Sequence, residues 1–315
     1  MTKRESRTKN IIIGCKMQIN LRNLAAFLYS IFLRTGSGIP EVLSRSARGE
    51  IILSVYSHNP DKRLFEKTVK WFRKKKFRFL DVHELYEILS GKSSFPTRAV
   101  FFSLDDGWKE NYNEVVRLSH RIKVPLTIFI PTEPVMGCGP YWWTTVDKAY
   151  RKGYISYTPD ALKKMPDEKR SEILEKAGRH VSIRREAMLP YEVKKLPEKN
   201  IAVGSHTLTH PILTMCNDEK SKKEITESRI ELENWLGIPV LCFSYPNGLY
   251  GRREKEFVKS AGYQMAFTTE RKYIERNSPP DLLELPRFDI LEHVSFSENI
   301  CRMTGVWFSR KRNKS

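Results

Sequence analysis

The stretch Ala99-Val100-Phe101-Phe102-Ser103-Leu104-Asp105-Asp106-Gly107 indicates how this chain folds. A run of six mostly apolar residues is followed at once by two carboxylates and a glycine, without alternation of polar and apolar positions. A short continuous apolar run is typical of a strand covered on both faces, as in a parallel sheet. Polar residues at the carboxyl end of such a strand lie where α/β folds place their functional sites.

Similar apolar runs occur on both sides of this stretch, and segments with helical periodicity separate them. The pattern predicts strands at 51–56, 77–80, 99–104, 124–130, 201–203, 240–244 and 264–268. Helices are expected after the capping residues Asp61 and Asp81, after Gly107, and at 218–235 and 252–261. Buried strands separated by helices predict parallel βα units, and therefore one α/β barrel or doubly wound sheet.

Residues 134–199 interrupt this alternation and predict an insertion in the domain. The insertion contains Tyr141-Trp142-Trp143 and a helix-prone stretch at 160–177. Two interpretations of the three aromatic residues remain open. They form either a platform for the apolar face of a sugar ring or a packed layer beneath the insertion.

Polar residues that follow other predicted strands are candidates for a metal site. His206 and His210 have the i, i+4 spacing that places two imidazoles on one face of a helical turn, and Pro211 argues against a longer helix there. Adjacent aspartates such as Asp105 and Asp106 resist joint ionisation unless a cation lies nearby. Two histidines and one carboxylate make a set of three metal ligands that leaves an open, catalytic position.

Three motifs, in order, resemble those of the polysaccharide deacetylase (NodB-homology) family. They are Phe102-Ser103-Leu104-Asp105-Asp106-Gly107, Ser205-His206-Thr207-Leu208-Thr209-His210 and Phe243-Ser244-Tyr245-Pro246-Asn247-Gly248. The resemblance spans about residues 51–290. It implies an α/β fold, a distorted (β/α)7-type barrel, and a hydrolase that uses a divalent metal to remove acetyl groups from glycans.

The resemblance also implies a role for each matching residue. Asp105 matches the family's catalytic base, and Asp106, His206 and His210 match its metal ligands. The backbone at Tyr245 matches the position that helps to bind the oxyanion. Zn²⁺ is the expected metal for two imidazoles and one carboxylate, although Co²⁺, Ni²⁺, Mn²⁺ or Fe²⁺ suits the same ligands.

The chain departs from the family's pattern at two functional positions. Ser244 stands where the family has an arginine that orients the base, and Arg287 is the predicted substitute from another strand end. The histidine that serves the family as general acid has no clear match. His293 and His58 are the two candidates, the first by its place in the chain and the second because it follows the first strand.

Charge is concentrated at the two ends of the chain. The 315 residues carry a net charge of +18, of which residues 1–50 hold +6 and residues 310–315 hold +4.

We predict a basic N-terminal segment at 1–50 with an amphipathic helix, a deacetylase domain at 51–309 and a basic tail at 310–315. The apolar run at 24–33 is shorter than the roughly 20 residues that cross a bilayer. The basic ends predict contact with an anionic membrane surface, or else solvated tails.

The expected activity is removal of an acetyl group from an N-acetylated sugar of a glycan or a lipid-linked glycan intermediate. The alternatives are a deformylase or another amide hydrolase acting on a small or lipid-linked sugar, a glycan-binding module without catalysis, and a nucleic-acid-binding protein, which the high net charge suggests. No nucleic-acid partner is expected, since no helix-turn-helix, RNP or zinc-finger signature is present. Five irregularly spaced cysteines and no recognisable export signal predict a cytoplasmic protein, either free or peripheral on the inner membrane leaflet.

Overall fold

A computed structural model of the chain describes residues 41–137 and 140–305. The predicted helix at 24–33 and the basic tail at 310–315 therefore lie outside the described residues. Within those residues, no helix has both the length and the apolar character needed to cross a bilayer.

Nine strands in the described ranges form a single sheet. They are β1 (Ile51–Ser57), β2 (Arg78–Leu80), β3 (Ala99–Leu104), β4 (Leu126–Ile130), β5 (Ile201–Ser205), β6 (Cys242–Ser244), β7 (Met265–Phe267), β8 (Ile274–Glu275) and β9 (Phe288–Asp289). The order across the sheet is β7-β6-β5-β4-β3-β1-β8, with β2 paired to β3 and β9 paired to β1. Every pairing is parallel except that of β1 with β8.

The helices connect these strands in the predicted alternation. They are α1 (Glu41–Ala47), α2 (Lys62–Lys74), α3 (Val82–Leu89), α4 (Lys109–Asn111), α5 (Arg117–Ile122), α6 (Thr132–Met136), α7 (Trp142–Arg151), α8 (Pro159–Leu162), α9 (Asp167–His180), α10 (Pro190–Lys194), α11 (Asp218–Leu236), α12 (Arg252–Ser260) and α13 (Phe296–Met303). A π-helical segment, Tyr112–Val116, joins α4 to α5. The predicted α/β barrel class is confirmed, as a parallel sheet that forms a half-barrel with helices.

Burial explains why these segments form strands and helices. All residues of β1, β3 and β4 are buried, as their unbroken apolar runs predict. Asp61 and Asp81 cap α2 and α3, each accepting a hydrogen bond from a backbone N–H three residues on. The apolar side of α3 packs against a layer of strand residues that includes Ile52, Phe101, Phe129, Cys242 and Phe267.

Two predicted boundaries need correction. The folded domain begins before residue 51, because α1 buries Val42 and Leu43 in the main core beside β1. The helix expected at 160–177 is divided into α8 and α9. Pro166 separates them, because proline lacks an amide proton and disfavours helical geometry in the residue before it.

The insertion lies between β4 and β5 and is mainly helical, comprising α6 to α10. Part of it has a small apolar cluster of its own, formed by Val146, Ala149, Ile155, Leu162 and Ala177. The contacts between α7 and α9 hold this cluster together. The insertion therefore packs as a helical layer beside the carboxyl ends of β4 and β5.

Candidate metal centre and active site

Asp106, His206 and His210 converge at the carboxyl edge of the sheet. One ligand atom from each lies within 4.8 Å of the others, and all three residues are buried. Nε2 of each histidine lies 3.5 Å from Oδ1 of Asp106. Two metal–ligand bonds of about 2.1 Å that meet at a tetrahedral angle separate the ligand atoms by about 3.4 Å. Asp106 Oδ1 is buried without a hydrogen-bond partner, so this donor set fits a divalent cation.

The segment from His206 to His210 is not the helical turn that the spacing predicts. His206 follows β5 directly, and no helix is assigned before Leu213. Thr207 has φ 72° and His210 has φ 58°, both in the left-handed region. A loop with two left-handed residues brings both imidazoles to Asp106 without a helix, and it needs support from outside the segment.

Glu224 of α11 provides that support. Its buried carboxylate accepts hydrogen bonds from the backbone N–H groups of Leu208 (3.0 Å) and Thr209 (2.9 Å) and from the Thr209 hydroxyl (2.6 Å). These donors lie between the two histidines. Burial raises the pKa of Glu224, while the hydrogen bonds from Thr209 act in the opposite direction. Glu224 is a functional residue that the sequence did not reveal, since it lies 14 residues beyond His210 in an ordinary amphipathic helix.

The histidines are held in the state that binds metal. His206 Nδ1 lies 2.7 Å from the carbonyl oxygen of Ser244, so Nδ1 donates and Nε2 keeps its lone pair for the centre. Burial and the neighbouring His206 lower the pKa of His210 to about 3. His210 is thus neutral, and Nε2 of His206 faces the centre, which suits both rings to coordinate a cation.

The other oxygen of Asp106 is used within the protein. Oδ2 accepts from Trp108 Nε1 at 3.2 Å and lies 2.9 Å from His58 Nδ1. Desolvation within the site lowers the pKa of His58, but the charge and hydrogen bond of Asp106 outweigh it and raise that pKa to about 9.

Gly107, the residue after Asp106, forms the turn that follows β3. It has φ 64°, and a Cβ there would approach Ile130 Cδ1 to 2.6 Å. A larger residue would have to move the end of the Ile130 side chain and adopt a left-handed backbone, so glycine suits this turn.

Arg287 holds Asp105 through a two-pronged ion pair. Its Nη1 lies 2.7 Å from Oδ1 of Asp105, and its Nη2 lies 2.9 Å from Oδ2. Nη1 also donates to the Ser103 hydroxyl, Nη2 to the Ser244 hydroxyl and Nε to the Thr268 carbonyl. All five N–H groups of the guanidinium are therefore paired, which makes the position of the Asp105 carboxylate rigid.

Three aromatic rings pack around the Arg287 guanidinium. Its Cζ lies 4.3 Å from the ring centroid of Tyr56, 5.3 Å from that of Phe129 and 5.6 Å from that of Phe267. Burial raises the pKa of Asp105, but the Arg287 charge outweighs it and holds that pKa below the ordinary value. Asp105 is therefore ionised at neutral pH, next to the candidate metal ligands and not among them.

Comparison with known proteins agrees with this arrangement. The family model described as "Polysaccharide deacetylase" matches residues 92–266, more than half of the chain. The chain belongs to the polysaccharide deacetylase family. The resemblance in the three sequence motifs is thereby confirmed.

Individual polysaccharide deacetylase relatives are distant in sequence. YxkH of Bacillus subtilis (strain 168) is 21% identical over 209 residues, which are 66% of this chain and 58% of YxkH. The chain thus spans under two thirds of that relative's length. The Streptococcus pyogenes deacetylase PplD, solved with acetate, has a TM-score of 0.58 at 16% identity and covers 81% of this chain and 97% of its own. IcaB from Ammonifex degensii has a TM-score of 0.59 at 16% identity, with the same coverage. These two structures share the fold.

The aromatic residues of the insertion pack against the candidate metal ligands of this polysaccharide deacetylase. Tyr141 is buried, its hydroxyl donates to the Asp106 carbonyl oxygen, and it stacks on Trp143. The Trp143 and His210 rings pack edge to face, with their centroids 4.6 Å apart. Trp142 Nε1 donates to the His210 carbonyl oxygen at 2.9 Å. Tyr141 is thus a packing residue and not an open platform, because its ring is covered. Trp142 and Trp143 are partly buried, and a role in sugar binding remains a prediction.

Tyr245 does not offer the oxyanion donor that the resemblance implied. Its N–H donates to the Phe267 carbonyl oxygen at 3.1 Å in the ladder between β6 and β7, and its hydroxyl donates to Leu283. That expectation is wrong because the predicted donor is already paired. Asn247, two residues on, has φ 56° and a buried side-chain Nδ2 without a partner, and its N–H is not paired with any described backbone group.

The structure separates the two candidate acid histidines. His58 contacts the Asp106 carboxylate, and Glu292 and Asn111 fix its loop by binding its backbone N–H and carbonyl groups. His293 is exposed between β9 and α13, and among the described residues no hydrogen bond or ion pair joins it to the site. The geometry favours His58 over His293.

Proposed function

We propose that this chain is a metal-dependent hydrolase that removes an acetyl group from an N-acetylated sugar of a glycan or a lipid-linked glycan. One observation carries the proposal. Asp106 directs an unpaired, buried carboxylate oxygen at the imidazoles of His206 and His210, while Asp105 beside it is fixed and ionised by Arg287. Structural metal sites are usually closed by four protein ligands, whereas three ligands leave a position for substrate.

A divalent cation held by Asp106, His206 and His210 would supply Lewis acidity to an amide carbonyl and activate water for attack. Zn²⁺ is our first choice for this ligand set. Asp105 then accepts the proton of the attacking water as general base. Arg287 keeps both oxygens of Asp105 fixed, so the base is aimed before the substrate arrives.

Two further groups complete the proposed mechanism. His58, which contacts the Asp106 carboxylate through Nδ1, presents a half-exposed ring with Nε2 free to deliver a proton to the leaving amine. Asn247 is the candidate for stabilising the oxyanion, because it has unpaired donors. It lies three residues after Ser244, whose carbonyl oxygen contacts His206 Nδ1. Asn247 thus replaces Tyr245 in this role.

The test combines product analysis with metal content. We expect mass spectrometry of N-acetylated glycans incubated with the purified protein to show loss of one acetyl unit. Release of formate from formylated sugars without release of acetate would indicate the deformylase alternative instead. Asp105→Asn should retain metal and lose turnover, whereas His206→Ala and His210→Ala should lose both. A metal-free Asp105→Asn protein in elemental analysis would contradict these roles.

Contact with an anionic membrane surface remains part of the proposal. The net charge of +6 at residues 1–50 and +4 at 310–315 supports it, because anionic lipids attract juxtamembrane basic residues. A lipid-linked substrate at such a surface would meet the enzyme there.

A further inference from the structure

Helix α2 and the residues that follow it carry most of the net positive charge between the two basic ends of the chain. Residues 51–309 have a net charge of +8, and residues 61–78 alone account for +7 of it. This stretch holds nine lysines and arginines against two acidic residues, Asp61 and Glu66. The rest of residues 51–309 is therefore almost balanced in charge.

The cations of α2 lie on one side of the helix. Phe65, Val69 and Phe72 are buried on the opposite side, against the main core. Four exposed cations recur at i, i+4, i+7 and i+11 and form one row, termed here the basic face of α2: Arg63, Lys67, Lys70 and Lys74. Leu64 and Trp71, which are partly buried, lie along one edge of this row. The helix is thus amphipathic, with a basic outer side.

Helix α5 lies along the other edge of the basic face. Arg73 Nη2 donates to the Ile122 carbonyl oxygen at 2.5 Å, which joins the two helices. Lys70 Nζ lies 2.8 Å from a carboxylate oxygen of Glu66. The hydrogen bond and charge of Lys70, together with the charge of Arg121 on α5, hold the pKa of Glu66 below its ordinary value. One carboxylate therefore lies among cations from both helices.

Most cations of this stretch have no carboxylate partner. Between residues 61 and 78, the structure describes ion pairs at Lys70 with Glu66 and at Arg78 with Glu84. The other seven lysines and arginines have no acidic side chain at ion-pair distance within the described ranges. Like charges at i, i+4 destabilise a helix, and an anionic surface placed against them would relieve their repulsion.

The basic face begins next to the candidate metal centre. His58, which contacts the Asp106 carboxylate, is separated by two residues from Asp61, the N-cap of α2. Asn111 Nδ2 donates to the carbonyl oxygen of His58 at 2.7 Å and fixes this connection. The N-terminal end of α2 therefore lies at the carboxyl edge of the sheet, so a surface that binds α2 lies beside the active site.

The other end of α2 lies close to α1, which follows the basic N-terminal segment. The N–H of Arg98 donates to the Ser46 carbonyl oxygen of α1 at 2.9 Å. Nη1 of the same arginine donates to the carbonyl oxygen of Lys75, the C-cap of α2, at 3.0 Å. Residues 1–40, whose net charge is +6, thus join the folded domain near the basic face.

An anionic lipid surface matches the basic face better than a nucleic acid does. Proteins read bases with Asn, Gln and Arg in a groove, and they bind single strands by stacking bases on exposed aromatic rings. Residues 61–78 contain neither Asn nor Gln, and Trp71 packs against the core. A row of cations with a tryptophan and a leucine along its edge is typical of a helix at the boundary between headgroups and acyl chains.

We propose that the basic face of α2 binds an anionic membrane surface. The inference deepens the proposed function and rests on it for the substrate, because it implies a glycan that is linked to a lipid. The lipid remains in the bilayer while the sugar reaches the carboxyl edge of the sheet. The basic face and residues 1–40 contact the same surface, and two weak contacts together bind far more tightly than either alone. Loss of either contact should therefore abolish stable binding.

Sedimentation of the full chain with lipid vesicles tests this inference. The anionic vesicles contain phosphatidylglycerol and phosphatidylcholine in equal parts, and vesicles of phosphatidylcholine alone are the neutral probe. The test variant replaces the four cations of the basic face by glutamine, which retains helix propensity. The control variant has the same net charge, because it replaces four exposed lysines of α9 and α11 by glutamine: Lys169, Lys176, Lys222 and Lys223.

The expected effect is large. Each basic residue near an anionic surface contributes about fivefold in affinity, so the test variant should bind the anionic vesicles at least about 100-fold more weakly. The control variant should bind like the unaltered chain. Binding of the unaltered chain should also fall steeply as the salt concentration rises, because salt screens exposed charges.

Equal binding by the two variants would overturn the inference, as would equal binding of the unaltered chain to the neutral and the anionic vesicles. An oligonucleotide that the chain binds more tightly than the anionic vesicles in the same buffer would assign the basic face to nucleic acid instead. Acetate release from a soluble glycan separates the two proposals, and it should be the same in both variants. An active enzyme without a difference in vesicle binding refutes this inference alone. Vesicle binding that is lost only in the test variant, by a chain that releases no acetate from any glycan, refutes the proposed function.

Discussion

Replacing Arg287 with methionine tests the ion pair on which Asp105 depends. Methionine fills much of the arginine volume and removes the charge together with its five hydrogen bonds. The change leaves Asp105, which is 2% exposed, with only the Ser244 hydroxyl at 3.4 Å as a side-chain hydrogen-bond partner among the described residues. Breaking a buried ion pair in this way costs about 3–5 kcal/mol. A domain whose stability lies in the middle of the typical range of about 5–15 kcal/mol would remain folded.

The loss should depend on pH in a defined direction. Burial raises the pKa of Asp105, and in the unaltered protein Arg287 outweighs that effect. Without Arg287 the pKa of folded Asp105 should exceed its unfolded value. At pH values below the unfolded pKa, such a carboxyl has almost no effect on stability. The destabilisation grows as the pH rises from the unfolded pKa through the folded pKa. The deficit of Arg287→Met should therefore be larger near pH 8 than near pH 4. It does not vanish at pH 4, because the lowered pKa of Asp105 keeps the ion pair of the unaltered protein intact there.

Urea unfolding of the metal-free protein, followed by tryptophan fluorescence at several pH values, measures this deficit. Arg287→Met combined with Asp105→Leu is the control, because removing both charges avoids a lone buried carboxylate and should recover much of the loss. A deficit below about 1 kcal/mol that is equal at pH 4 and pH 8 would refute the reasoning. So would a double variant that is no more stable than Arg287→Met.

Three further predictions concern the metal loop, the acid and the N-terminal segment. Glu224→Ala should weaken metal binding about 10–100-fold in chelator competition, because outer-shell partners hold ligands in place, while the exposed Glu227→Ala on the same helix should not. His58→Gln should lower kcat by at least about 100-fold and His293→Gln should leave it unchanged; equal effects in the kinetic assay would remove His58 as proton donor. Deleting residues 1–40, which spares α1, should abolish sedimentation with anionic vesicles and preserve activity on a soluble glycan; sedimentation equal to that of the full chain would count against membrane contact.

Local patterns in the sequence were sufficient for the order of the first seven strands and for the candidate ligand set, but not for β8 and β9, which are two residues long each. The run from Ala99 to Leu104 forms β3 with the predicted bounds, and Asp61 and Asp81 cap their helices as expected. These features depend on neighbouring residues, since burial on both faces and capping have short-range signatures. Asp106, His206 and His210 could be named as candidates because parallel strands end at one edge of a sheet.

Other features depended on contacts that no local pattern contains. The i, i+4 spacing of His206 and His210 suggested a helical turn, but the Glu224 carboxylate stabilises a left-handed loop instead. Tyr245 was selected by its place in a motif, but its N–H is paired with Phe267 through the register of β6 and β7. A short sequence motif does not indicate which of its backbone N–H groups will be hydrogen-bonded to a neighbouring strand.

The sequence by itself determined that this is an α/β domain with two aspartates and two histidines at strand ends. Tertiary structure decided which side chains meet there. Arg287 reaches Asp105 across 182 residues, and Glu224 reaches the backbone between His206 and His210. The physical reason is that hydrogen bonds and burial act over a few ångströms in space, and only the curvature and register of the sheet bring residues so distant in the chain within that range.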